Sequence, residues 1–210
     1  MAEDRICARD FYISLSSDPA QNVNVALVEA FTRIAQLDGA TIHLLLHSNG
    51  NLGLNGPSEP AALYHTLRAM PVRLVTYNMG TVASGAILLY LAGEERVCLP
   101  ASRFLFHGSA AQMPTMPLSQ RGTLLYARHL REALATIEAA NDVTATILND
   151  RCTLDPAELA DLLGDIAPRT PEWALAHGLA HRIGQPQMPT GAQVLVVRSQ
   201  KAVPTPEKTP

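Results

Sequence analysis

Lysine is nearly absent from this sequence. The first is Lys201 and the second Lys208, both within the last ten of 210 residues. The body of the chain therefore has no ammonium to serve as the base of a serine–lysine dyad, and that mechanism is excluded. An excess of positive charge is also missing. Sixteen Lys and Arg against 19 Asp and Glu give a net charge of −3, which argues against a broad nucleic-acid surface. Cysteine is scarce: Cys7, Cys98 and Cys152 are scattered and lack metal-ligand spacing. They read as reduced thiols of a cytosolic-type compartment, with no metal or cofactor expected. The longest apolar run, around Ala83–Ala92, is about a dozen residues, too short to cross a bilayer. The charged start "MAEDRICARD" lacks the apolar core of a signal peptide, so a cytoplasmic protein with no membrane partner is expected. No internal repeat is visible.

What remains is an ordinary globular composition, 47% hydrophobic and 17% charged, long enough for one domain with a sizeable core. "DFYISL" (10–15) reads as a strand and "NVALVEAFTRIAQLD" (24–38) as an amphipathic helix. "ATIHLLLHS" (40–48) is a β-rich run ending in the glycine-containing turn "NGNLGLNG". A helix is predicted over 59–70, with Pro60 in its first turn, and then a buried strand, "VRLVTYNMG". Ser84 opens the apolar helix "SGAILLYLAG", which stops at Gly93. Two short strands, "RVCLP" and "RFLFHG", precede a Pro-bearing segment, "QMPTMP", and a long helix over 120–149. Thr153 and Thr170 are candidate N-caps of two further helices. Strands alternating with helices predict an α/β fold with a largely parallel sheet. Residues 1–185 read as one domain. Residues 186–210 read as a C-terminal extension, with a strand at Val194–Val197 and then a Pro/Thr/Lys-rich tail.

Ser84 has two readings. It is either a helix N-cap or a nucleophile at the carboxyl end of a strand, where open α/β sheets place ligands and where helix-start amides favour negative charge. A serine hydroxyl needs a base, and with lysine unavailable histidine is the remaining common one. His107 ends "RFLFH", 23 residues after Ser84, which puts it on the same edge of the sheet. For an oxyanion, the amide of Gly85 and one from the turn at Gly50 or Asn51 are the candidate donors.

These segments, in this order, resemble the proteolytic subunit of the Clp protease, the ClpP family of serine peptidases, from Phe11 to Ile183. "LLLHSNGN" is similar to the family's strand followed by Asn-Ser-Pro-Gly-Gly. "MGTVASGAILLYLAG" is similar to its Gly-x-Ala-Ala-Ser-Met-Gly-Ala segment, with Ser84 at the nucleophile position. "RVCLPASRFLFHG" is similar to its Arg-x-x-Leu-Pro-x-x-Arg-x-x-x-His segment, with His107 at the base position. "RTPEWALAHGLAHRI" is similar to its Ser-x-x-Glu-Ala-x-x-Tyr-Gly-Leu-x-Asp end. The family's third member is an aspartate just before that end. Asp165 stands there with one residue more than the usual spacing to Thr170, and Asp161 is the fallback. The resemblance implies a ClpP/crotonase-type fold of repeated β-β-α units with a mostly parallel sheet and a projecting helical handle. It implies a serine endopeptidase acting on peptides or unfolded proteins inside a homo-oligomeric ring, heptameric or doubly so, served by an AAA+ unfoldase. Where the family has a glycine-rich strand after the histidine, this chain has Pro114 and Pro117, which cannot donate ladder hydrogen bonds. A weakly active or inactive ring scaffold is the alternative. A crotonase-like acyl-CoA enzyme is a third reading, and the Ser84/His107 spacing and the lack of lysine for nucleotide phosphates count against it.

Overall fold

The computed structural model describes residues 9–17, 23–50, 58–110, 119–164 and 166–197. The predicted segment "QMPTMP", Asn51, Asp165 and the tail beyond 197 lie outside the described residues. In chain order the elements are β1 (Arg9–Ser17), α1 (Asn24–Ile34), β2 (Ala40–Ser48), α2 (Glu59–Ala69), β3 (Arg73–Ala83), α3 (Gly85–Leu91), β4 (Glu95–Cys98) and β5 (Arg103–Leu105). They continue with α4 (Gln120–Arg151), α5 (Pro156–Gly164), β6 (Pro168–Arg169), α6 (Pro171–Ala176), β7 (Arg182–Ile183) and β8 (Val194–Val197).

The eight strands form one sheet in the order β6-β5-β3-β2-β1-β8, with β4 and β7 branching from β3. Every pairing is parallel except β5 with β6. The mixed α/β architecture with a mostly parallel sheet is the one expected from the strand–helix alternation. β2 explains why its sequence is nearly continuous in apolar residues. Ile42, Leu44 and Leu46 face the main core with α1, α2 and α3, while Leu45 joins Val75, Tyr77 and Val97 in a smaller cluster. Alternate residues point to opposite faces, so a strand covered on both sides needs no polar face. α3 is buried all round, from Ala86 to Leu91, and each such leucine or isoleucine contributes about 2 kcal/mol of apolar burial. α4 is the longest element at 32 residues, and Leu124, Leu130 and Leu134 along it are exposed.

Some element boundaries differ from those the sequence predicts. α1 ends at Ile34, short of the predicted Asp38. The cap of α5 is Asp155 rather than Thr153: its Oδ1 accepts from the amides of Ala157 and Glu158, and Glu158 Oε2 accepts from the Asp155 amide. That reciprocal pair satisfies three helix-end donors, which Thr153, three residues before the first helical residue, does not reach. Thr170 does cap α6, accepting from the Trp173 amide.

Arg96, on β4, is buried and has no carboxylate partner among the described residues. Its guanidinium donates to the carbonyls of Leu179, Gly93, Arg151 and Gly178, at 2.7–3.2 Å. Arg151 donates to Leu91 and Gly93 carbonyls as well. Two arginines thus satisfy the orphan carbonyls at the ends of α3 and α4 and hold the turn after α6 against them.

Candidate active site

The site begins with a bend in β3. Up to Asn78 this strand pairs with β4, and from Thr81 it pairs with β5. Against β2 the register runs Leu46↔Asn78 and then Ser48↔Val82, so Met79, Gly80 and Thr81 lie opposite the single residue His47. A bulge of this kind frees backbone amides, and buried amides need acceptors. Asn78 Oδ1 accepts from Gly80 N–H (3.0 Å), and His47 Nδ1 accepts from Thr81 N–H (3.0 Å). Asn78, fully buried, also donates through Nδ2 to the Arg103 carbonyl at the start of β5 (2.9 Å). The bend carries the end of β3 onto β5, pairing Ala83 with Leu105. The next residue after Ala83 is Ser84, and two residues after Leu105 is His107. The topology therefore brings the two sequence candidates to one edge.

Ser84 is the sole non-glycine residue with positive φ among the described residues, at φ 52 and ψ −132. Its amide donates to the Leu105 carbonyl (2.9 Å). Its side chain makes no capping hydrogen bond, and the helix starts one residue later, at Gly85. Ser84 thus stands at the N-cap position of α3 without spending its hydroxyl on the cap. A strained serine at a sharp strand-to-helix turn is the arrangement that exposes a nucleophilic hydroxyl.

Two glycines pack against this turn. Gly50 has φ 103, and a Cβ placed on it would lie 2.6 Å from Ser84 Cβ and 3.4 Å from Ser84 Oγ. Position 50 therefore admits only glycine, by conformation and by room. Its amide donates to Ser48 Oγ (3.2 Å). A Cβ on Gly85 would meet the Pro60 ring at 2.7 Å, so α2 occupies the space where the family motif has a methionine.

His107 is exposed, and its Nδ1 lies 2.7 Å from the Gly108 carbonyl oxygen. A carbonyl only accepts, so Nδ1 carries the proton and Nε2 keeps its lone pair, the tautomer a general base needs. No hydrogen bond joins Ser84 to His107 among the described residues. Gly108 is wedged in turn: a Cβ there would lie 2.7 Å from the Leu163 carbonyl oxygen, and the next amide, Ser109 N–H, donates to Asn141 Oδ1 on α4 (2.7 Å). Leu105 pairs with Pro168. The chain on either side of position 165 therefore runs alongside residues 105–108. Asp161 sits exposed on α5.

The other histidines with recorded contacts have structural partners. His43 lies between Asp10 Oδ1 (3.2 Å) and the Tyr77 hydroxyl (3.1 Å), stacked on Tyr12. His177 lies between Glu158 Oε1 (2.9 Å) and the Trp173 carbonyl (2.8 Å). His181 Nδ1 accepts from Arg96 N–H. The thiols of Cys98 and Cys152 are pushed up to about 11 by burial, which makes them poor nucleophiles. Sequence reasoning did not single out His47 or Asn78. Their signal was a polar side chain directly after an apolar or aromatic run in a strand, as in Leu44–Leu46 before His47.

Comparisons with known proteins bear on the fold and the family. A ClpP1 mutant from Listeria monocytogenes has a TM-score of 0.63 at 16% identity, covering 86% of this chain and 93% of that one, a likeness of fold. The ATP-dependent Clp protease proteolytic subunit 1 of Rhodopirellula baltica is 28% identical over 101 residues. That stretch is 45% of this chain and 43% of the relative, so the match spans less than half of that protein's length. The family model described as Clp protease matches residues 5–185. With that match covering most of its length, the chain belongs to the Clp protease family.

Proposed function

We propose that this chain is a serine endopeptidase that cleaves peptides or unfolded proteins through an acyl-enzyme on Ser84, inside a ring of identical copies. The observation that carries the reading is the Ser84 backbone: a positive φ on a non-glycine residue, with Gly50 pressed against it and no capping bond to account for the serine otherwise. Ser84 Oγ attacks the scissile carbonyl carbon as His107 Nε2 takes its proton. Collapse of the tetrahedral adduct expels the amine, which receives that proton, and water repeats the sequence to free the acyl group. The amides of Gly85 and of Gly50 or Asn51 receive the oxyanion. Asp165 accepts a hydrogen bond from His107 Nδ1–H in place of the Gly108 carbonyl. Its flanks support this role, with Leu163 against Gly108 and Pro168 paired to Leu105. The chemistry needs no metal or cofactor. The exposed leucines of α4 support assembly, and we take the ring to be a heptamer, single or doubled, in the cytoplasm with an AAA+ unfoldase feeding it.

A catalytically idle ring subunit is the second reading. Two observations favour it: His107 is turned to its own neighbour's carbonyl, and the Gly50 amide is donated to Ser48. Fluorophosphonate treatment followed by intact-mass measurement of the assembly separates the two. The peptidase takes one adduct per chain, lost in Ser84→Ala and slowed by several orders of magnitude in His107→Ala. An assembled ring that takes no label and turns over no peptide is the idle subunit.

A further inference from the structure

We propose that His47 is a positioning residue for the Ser84 site, one that works only as a neutral imidazole with its proton on Nε2. This rests on the peptidase reading of that site and adds a second proton-sensitive histidine to it.

The bulge in β3 leaves two amides to side-chain acceptors, and His47 supplies one of them. Its Nδ1 lies 3.0 Å from Thr81 N and receives that N–H. The ring also lies flush on Gly80, where a Cβ would come within 2.9 Å of Nδ1. A donor N–H facing Nδ1 requires a lone pair there, so the proton of the neutral ring sits on Nε2. The imidazolium has no lone pair. Protonation would set Nδ1–H against Thr81 N–H, leave a part-buried amide unsatisfied and press the ring away from Gly80. Thr81 is the first residue of β3 to pair with β5, and Ser84 follows three residues later. On the other side, Gly50 lies three residues after His47 and touches Ser84. One imidazole therefore sets both the strand that delivers Ser84 and the turn packed on it.

Among the described residues, none supplies a compensating charge hydrogen-bonded to the ring. On β1 its register partner is Ser16, and on β3 it meets Gly80 and Thr81. The titratable groups on that face of the sheet are engaged elsewhere. Asp10 on β1 and Tyr77 on β3 hold His43, and Glu95 on β4 pairs with Arg73 and with Arg182 on β7. Tyr12 on β1 donates to the Gln187 carbonyl. No carboxylate or guanidinium among the described residues is hydrogen-bonded to His47.

The test compares His47→Asn with His47→Ala in the assembled full chain. Asparagine Oδ1 stands close to where imidazole Nδ1 stands and, as a carboxamide oxygen, accepts without titrating. His47→Ala should lower kcat and the fluorophosphonate labelling rate by tenfold or more with little change in KM. His47→Asn should recover most of that loss. The acid limb of kcat/KM should be steeper in the natural chain, where both His47 and His107 must be neutral, than in His47→Asn, where only His107 must be. Side-chain 15N shifts of His47 at neutral pH provide a readout that needs no catalysis and should report an Nε2–H tautomer. The Thr81 amide should exchange faster below the pH at which that ring takes up its second proton. Should the chain prove to be an idle subunit, these two measurements still decide the role of His47. The proposal is overturned by an Nδ1–H tautomer, by Thr81 exchange that ignores the ring's titration, or by His47→Asn no better than His47→Ala.

Discussion

The serine side and the histidine side of the candidate site are built on opposite principles. Ser84 is enclosed: β5 holds its amide, Gly50 touches its side chain, and Pro60 closes the space beside Gly85. His107 stands exposed past the end of β5, held by a single bond to the next residue's carbonyl. Sterics and a strained backbone place the nucleophile. The base is placed by whatever the neighbouring segment provides. A lesion on the first side therefore acts through packing and stability, and one on the second acts through turnover.

Among substitutions that leave Ser84 and His107 in place, the largest effect should come from Gly50→Ala, which puts a Cβ 2.6 Å from Ser84 and forces an alanine to φ 103. Displacement of Ser84 should cut labelling by about 100-fold, and the strain should cost about 2–4 kcal/mol in urea unfolding. A variant with unchanged labelling would show that the Ser84 side is not enclosed. Next is Gly108→Ala, whose Cβ meets the Leu163 carbonyl at 2.7 Å. It should lower kcat by about tenfold while costing only about 1 kcal/mol, and a reversed balance would erase the contrast between the two sides. Gly85→Ala drives a methyl into Pro60 and should destabilise by about 1–2 kcal/mol. Adding Pro60→Ala should return at least half of that loss, which a double-mutant cycle will read as coupling. The smallest effect lies in the scaffold behind both sides. Burial, followed by the charges of Arg96 and Arg151, lowers the pKa of His181. A base whose folded pKa is depressed takes up its proton first in the unfolded chain. Its contribution to stability is complete above the ordinary imidazole range and is lost as pH falls through the lowered value. Urea midpoints should decline shallowly on acidification, less so in His181→Asn, and a midpoint that rises would contradict the assignment.

The order of elements and the shared sheet edge that carries Ser84 and His107 were legible because they live in hydrophobic period and in short motifs at strand ends. β2 and α3 announce burial in nearly every residue, and Thr170-Pro171-Glu172 announces a helix start. The bend was not legible. Whether β3 slips by two residues opposite His47 depends on which acceptors reach Gly80 and Thr81, and that is a property of two strands together. Nor does any composition rule mark a serine with positive φ. The α5 cap was misread because Thr153 and Asp155 are both good caps, and only the position of Pro156 at the first turn decides between them.

The guanidinium of Arg96 offers a last consequence. Most interior charges are neutralised by a carboxylate, and acid dissolves such a joint. Here every partner of the side chain is a carbonyl, which has no proton to gain. Burial, reinforced by Arg151, brings Arg96 down to about 10, still charged throughout the neutral and acid range. Salt has no ion pair to screen at this point, and acid has no anion to discharge. The junction of α3, α4 and the turn after α6 is thus held by guanidinium contacts that neither salt nor acid removes.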